Sequence, residues 1–326
     1  MTKFLVRLRG VLLALVVCAG VPQMAAAYNV PGSASANVPE ITEVATGIVM
    51  RSLKQNVHAL RQQSNGPIVA TQGTLGFGTG QVPLAFSLDH RTFDSSTLDG
   101  RFDVATLFIG GRTDGGMTLF GGLVGEFGDL RTPLDAGRIE HSGFGLVAGV
   151  DYAVSDAVFL TAILGGMALD YDVSRGSGAF TGSFGAKRQF IDLSADYLTR
   201  GIGGSDMKLG FGLLYIHQRN DGYIESGGAT VAPFTFDHLA ATLAMRNTWG
   251  HDGGMRPYVD LSAQIRIAGD DGASAAVPVH ADRQARLMIG VERNAGRSFF
   301  DVGLGANFVN DSYSGLDARL NYSFRF

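Results

Sequence analysis

The last eleven residues of the chain alternate without a break. Leu316, Ala318, Leu320, Tyr322, Phe324 and Phe326 are apolar, while Asp317, Arg319, Asn321, Ser323 and Arg325 are polar. In an extended strand these two sets point to opposite faces, so the segment needs an apolar medium on one side and a polar one on the other. The same period of two begins after Pro67 and continues to the end. In 256–267, Val259, Leu261, Ala263, Ile265 and Ile267 oppose Tyr258, Asp260, Ser262, Gln264 and Arg266. A soluble sandwich also accepts such strands. Here, however, the polar set carries many full charges, which a closed membrane barrel can hold in its lumen while its apolar face meets lipid.

Runs of this kind predict strands near 68–77, 102–111, 117–127, 143–153, 157–172, 188–199, 208–218, 238–249, 256–267, 282–293, 298–309 and 316–326. The total is about twelve, or ten if the first two are not strands; a closed antiparallel bacterial barrel requires an even number. Connectors at 155–156, 251–254 and 294–296 are short, whereas 130–142, 173–187, 221–237 and 269–280 are long. Short turns on the periplasmic side and long loops outside the cell fit that barrel. Aromatic residues near strand ends, Tyr152, Tyr171, Trp249, Tyr258, Phe308, Tyr313 and Phe326, are expected as girdles at headgroup depth. Glycine, at 46 of 326 residues against 9 prolines, suits tight turns and close backbone approach in a curved sheet.

Two segments precede the strands. Residues 1–27 read as a secretory signal peptide, with Lys3, Arg7 and Arg9 before an apolar run at 11–21 and small residues at Ala25, Ala26 and Ala27. The apolar run is shorter than the roughly 20 residues of a membrane-spanning helix. Cys18, the single cysteine, would leave with the signal, so the mature chain has no disulfide or thiolate chemistry. Residues 28–66 hold a short polar stretch and then a helical pattern over 39–63. There Ile41, Val44, Ile48, Val49, Leu53, Val57 and Leu60 recur three or four apart, and Arg51, Lys54, His58 and Arg61 form a basic stripe on the other side. Residues 67–326 form the barrel.

Chemistry-bearing residues form no reaction centre in the sequence. His141 and Ser142 are neighbours and point to opposite faces of a strand, so they cannot act as a dyad there. His90 is expected in a loop. Asp221, Asp270 and Asp271 lack the spacing of a dedicated calcium loop, and the glycines at 76–80 lack the lysine of a phosphate loop. No catalytic, metal or cofactor site is expected. With 26 basic and 30 acidic residues, net charge −4, no basic cluster points to nucleic acid.

Three passages resemble the autotransporter translocator β-barrel domain family of type V secretion. The strand 142–152 followed by 156–172 resembles the family's glycine-rich strand pair with its Asp-Tyr step. The stretch 213–228, ending Gly222-Tyr223-Ile224-Glu225-Ser226-Gly227-Gly228, resembles its strand and loop with a Gly-aromatic-x-Glu-x-Gly core. Residues 320–326 match its terminal aromatic signature. The resemblance implies an outer-membrane barrel acting as a translocator or pore scaffold, with the helix threading its lumen. It implies that Arg51, Lys54 and Arg61 face inward acids such as Asp151, Asp192, Asp196, Asp260 and Asp301. Strand arginines such as Arg246, Arg286 and Arg319 could equally pair those acids. It also implies a bilayer-embedded monomer assembled by the outer-membrane machinery with periplasmic chaperones, which read Tyr322, Phe324 and Phe326. The family's large passenger has no counterpart in the few residues between signal and helix. A surface anchor or adhesin working through long loops is therefore the alternative, and a lipid-modifying barrel enzyme the third reading.

Overall fold

A computed structural model of the chain describes residues 30–63, 83–112, 117–250, 253–270, 272, 282–295, 297–310 and 312–325. Helix α1 (Val38–Gln63) is followed by β1 (Pro83–Asp94), β2 (Asp99–Arg112), β3 (Met117–Thr132), β4 (Gly137–Ala153), β5 (Val158–Arg175), β6 (Phe180–Arg200) and β7 (Asp206–Asn220). A small hairpin of β8 (Tyr223–Ile224) and β9 (Thr230–Val231) comes next. The chain continues as β10 (Phe234–Thr248), β11 (Arg256–Asp270), β12 (Arg283–Asn294), β13 (Ser298–Val309) and β14 (Ser312–Arg325).

All strands except β8 and β9 form one closed antiparallel barrel, in which each pairs with its sequence neighbour and β1 closes on β14. The closing register runs from Pro83↔Arg325 to Arg91↔Asp317. Closure leaves no unpaired edge, the condition a sheet must meet in hydrocarbon. The polarity is that of a membrane barrel. Leu164, Leu243 and Leu304 face outward at 61%, 61% and 63% exposure, while Asp192, Arg188 and Asp301 are buried inside.

The strand at β1 was not legible as such: His90 lies within it rather than in a loop. Leu84, Phe86 and Leu88 do alternate with Ala85, Ser87 and Asp89. The run expected at 68–77 lies outside the described residues. The connectors expected at 130–142 and 173–187 prove to be mostly strand, since β3 and β4 are joined at 133–136 and β5 and β6 at 176–179. Their polar character comes from position. Beyond the bilayer the outer face meets water instead of lipid, so polar Glu140 and Ser142 pair there with Asp172 and Asp170, while Ile139, His141, Tyr171 and Val173 stay buried on the inner face. Tyr171 and Tyr258 also depart from expectation, for both are buried in the lumen and take no place in an outer girdle. Tyr258 fits there because Gly290 and Gly303 lie against it; a Cβ on either would come within 2.4 Å of its hydroxyl.

Chain ends fix the orientation. The end holding the start of β1 and the end of β14 also has the turns 154–157 and 201–205; the opposite end has 221–233, so it faces outward. At 26 residues α1 is about 39 Å long, enough to cross the ~30 Å hydrocarbon layer. No described helix is long and apolar enough to face lipid. Instead α1 lies in the lumen, packed against β1, β2, β7, β13 and β14. Ile41, Val49 and Leu53 are buried there, as are Thr42, Thr46, Ser52 and Asn56.

Candidate functional site

The lumen and the helix inside it form the site. Because successive inward residues on neighbouring strands sit side by side, the lumen wall is a lattice of polar side chains whose partners are set by register. α1 and the segment before it meet this lattice at successive levels, from the outer mouth downward.

At the outer mouth the segment before α1 is tied to two loops. Gly32 N–H donates to Glu225 Oε1 at 3.1 Å, Ser33 Oγ donates to Asp135 Oδ2 at 3.1 Å, and Tyr223 hydroxyl donates to Ser35 Oγ at 3.4 Å. Arg175 forks onto Glu225 at 2.5 Å and stacks over Phe180 at 3.9 Å. The Arg175 hydrogen bonds hold the Glu225 carboxyl below the usual carboxylate range. A carboxyl lowered on folding stabilises the fold fully above its ordinary value of 4.5, and that contribution disappears as pH falls through the folded value. A spin label on Val30→Cys should therefore gain mobility on acidification below pH ~4, and at neutral pH in Glu225→Gln. An unchanged spectrum in both cases would rule out this latch.

Below the mouth, five rings stack around the wall: Phe102, His141, Tyr171, Phe184 and Tyr223, with successive centroids 5.0 to 5.2 Å apart. Behind them Glu126 receives Arg188 at 2.7 Å and lies 3.4 Å from His141. Gln218 accepts from Arg188 at 2.9 Å and from Thr42 of α1 at 3.0 Å. On the other side of the helix, buried His238 lies 2.9 Å from buried Glu43. His141 is thus held by stacking and an acid, and Ser142 faces away on the outer surface.

At mid-depth Ser52 meets Ser87 and Thr106, and Asn56 donates to Thr106 and accepts from Asn321. Lower down, Asp301 is the centre of the largest ion cluster. It accepts from Gln55 at 3.0 Å, Arg246 at 2.6 Å, Arg319 at 3.1 Å and Tyr258 at 3.1 Å, while Arg246 also reaches Glu292 at 2.5 Å. Asp260 is 3.9 Å from Arg246. At the same depth, on the β6 side, Lys54 meets Asp192 at 2.8 Å, and near the inner mouth Arg61 clamps Asp151 and Asp196 at 2.6 Å each. Helix cations and strand arginines therefore divide the acids by side of the barrel. Lys54 and Arg61 take those of β4 and β6, and Arg246 and Arg319 take those of β11 and β13. Arg51 makes no ion pair or hydrogen bond among the described residues.

Of the assembly residues, Tyr322 faces outward and Phe324 is half-buried on β14; Phe326 lies outside the described residues. Sequence reasoning missed the uncharged helix contacts Thr42, Gln55 and Asn56 and the Glu43–His238 pair. These polar residues interrupt the apolar face of α1, the available signal that the helix is polar-packed on all sides.

A closed barrel with a polar lumen, occupied from mouth to mouth by the helix that precedes its first strand, defines a class of outer-membrane translocation domains. The profile of the autotransporter beta-domain family matches residues 87–323. The chain belongs to that family and is an autotransporter translocator β-barrel of the outer membrane, with an N-terminal helix. Its fold is similar to the translocator domain of the autotransporter NalP from Neisseria meningitidis, at 14% identity and TM-score 0.66 over 87% of this chain and 98% of that one. It is also similar to the beta domain of the Bordetella autotransporter BrkA, at 15% identity and TM-score 0.59 over 76% and 100%. The transport unit of AIDA-I from Escherichia coli matches at 11% identity and TM-score 0.53 over 84% and 98%. No curated protein sequence matches the chain.

Proposed function

We propose that the lumen is a route for extended polypeptide and that α1 is the plug left in it at rest, with Arg51, Lys54 and Arg61 as the helix side of the charged lining. The observation that carries this reading is the direction of the helix. The segment just before it is latched at the outer mouth by Glu225 and Asp135, and its last turn is clamped at the inner mouth by Asp151 and Asp196. The described chain before Val38 therefore lies at the outer mouth, while Gln63 and the start of β1 lie at the periplasmic end. A mixed-charge wall suits a moving polypeptide, because it offers exchangeable partners to backbone and side chains of either sign.

The natural cysteine, Cys18, belongs to the signal peptide assigned to 1–27, so an introduced thiol reports alone. Val30→Cys should react with a membrane-impermeant maleimide on intact cells, whereas Ser155→Cys in the 154–157 turn should react only after the outer membrane is opened. The opposite pattern would reverse the helix and end the proposal. In a planar bilayer, deleting 28–66 should raise the conductance of the mature barrel.

We further propose that the monomeric barrel is inserted by the outer-membrane assembly machinery with periplasmic chaperones, and that Tyr322, Phe324 and Phe326 are what is read. Removing Phe326 should lower the yield of heat-modifiable barrel several-fold; full yield would remove the terminal aromatic from that role.

A further inference from the structure

The helix does not fill the lumen evenly. A cavity of about 100 Å³ lies between α1 and the inner faces of β6, β7 and β10 to β14, with Arg91 of β1 at its edge. Its lining carries seven arginine or lysine side chains against three carboxylates, Asp192, Asp196 and Asp260. Some of the cations are neutralised: Lys54 by Asp192, Arg286 by Asp317 at 2.6 Å, and Arg246 and Arg319 by Asp301. Arg51 and Lys208 have no ion pair among the described residues.

The unpartnered polar atoms of this lining are strongly one-sided. Arg51 Nη2, Arg91 Nε, Arg246 Nε, Gln264 Nε2, Gln284 Nε2 and Asn307 Nδ2 are donors without an acceptor, and Asp192 Oδ1 is the acceptor without a donor. Gln264 and Gln284 are each 9% exposed and Asn307 2%. Register brings the strand donors together: Gln264 pairs with Gln284, and Arg286 lies between Ser262 and Asn307. α1 brings Arg51 to the same place. A Cβ built on Gly47 would lie 3.5 Å from Arg51 Nη1 and 3.9 Å from Gln264 Oε1.

Buried donors without acceptors cost free energy, and buried positive charge costs more unless a counter-charge is supplied. Water could satisfy the donors but would leave Arg51 and Lys208 without a counter-charge in contact, because the carboxylates nearest them, Asp317 and Asp89 for Arg51 and Asp196 and Asp260 for Lys208, lie beyond 4.0 Å. One water occupies ~10–15 Å³ by this measure, so the space admits a small hydrated anion. We propose that this cavity binds a small inorganic oxyanion of the sulfate or phosphate class, held by Arg51, Gln264, Gln284 and Asn307 beside Arg286. The proposal rests on α1 being seated in the lumen, which Val30→Cys labelling tests separately. The barrel wall excludes lipid headgroups, so the source is the solution.

Sodium sulfate should raise the unfolding temperature of the detergent-folded full chain saturably, beyond chloride at equal ionic strength. Asn307→Leu and Gln284→Leu should each weaken the apparent sulfate affinity by roughly tenfold or more, the effect of losing a hydrogen bond to a charged group. Gly47→Leu is the sharper variant. It keeps every charge, favours the helix and fills the space, so the sulfate response should vanish. A sulfate effect no larger than that of chloride would overturn the site, as would a response that survives in Gly47→Leu. If Gly47→Leu fails to give a heat-modifiable barrel, the two strand variants decide the question by the same criterion.

Discussion

Replacing Asp301 with Asn is expected to destabilise the folded barrel by about 3 to 5 kcal/mol, the cost of removing one partner from a buried ion cluster. Asp301 is fully buried and accepts from Gln55, Arg246, Arg319 and Tyr258. Arg246 keeps Glu292, but Arg319 has no other carboxylate within 4.0 Å among the described residues. The substitution leaves that guanidinium buried with its charge uncompensated, and it weakens the bond from Gln55 that holds α1 at this depth. Urea titration of the detergent-folded protein, read by heat-modifiable migration, measures the loss. In the double variant Asp301→Asn/Arg319→Met part of the stability should return, because the stranded charge is gone. A single-variant cost under ~1 kcal/mol would mean that the cluster is solvated rather than buried.

Leu243→Arg should cost about 2 to 4 kcal/mol, because that is the price of an arginine at the bilayer midplane of a barrel. Leu243 points outward on β10 at 61% exposure, with Asp237 three alternate positions above it and Asn247, buried against Ser205 of the 201–205 turn, two below. It pairs with Phe211 and Ala263 on the flanking strands, so its neighbours offer no counter-charge. Ser262→Glu on the inner face of β11 should cost much less, since it adds a carboxylate beside Arg286. The comparison is made in lipid vesicles, where the outward face meets hydrocarbon. Equal costs at the two positions would contradict the assignment of faces.

Much of the barrel is legible because a strand reports its two environments in alternation. In 256–267 and 316–324 the apolar set is the outward one and the polar set the inward one, and this follows from side-chain direction alone. Legibility fails where the outward face leaves the lipid and no longer has to be apolar. Above the bilayer the outer face of the β4–β5 hairpin meets water, so Glu140 and Asp172 stand where apolar residues mark a strand lower down, and they look like loop although they are paired strand. β1 is obscured for a related reason: its inward face mixes Ala85, Ser87, Asp89 and Arg91, and its outward face falls from Phe86 and Leu88 to His90.

The basic stripe of α1 shows the boundary most clearly. Arg51, Lys54 and Arg61 look equivalent in sequence, spaced along one side of a helix. In the folded chain Lys54 and Arg61 reach the acids of β4 and β6, whereas Arg51 faces the cavity beside Gln264. The local period of two and of 3.6 residues determined by itself that there would be strands with a greasy and a charged side, preceded by a helix. Which charge meets which was decided by barrel closure and the rotation of α1. Ion pairing acts over a few ångströms through space, between residues that register alone brings together from distant parts of the chain.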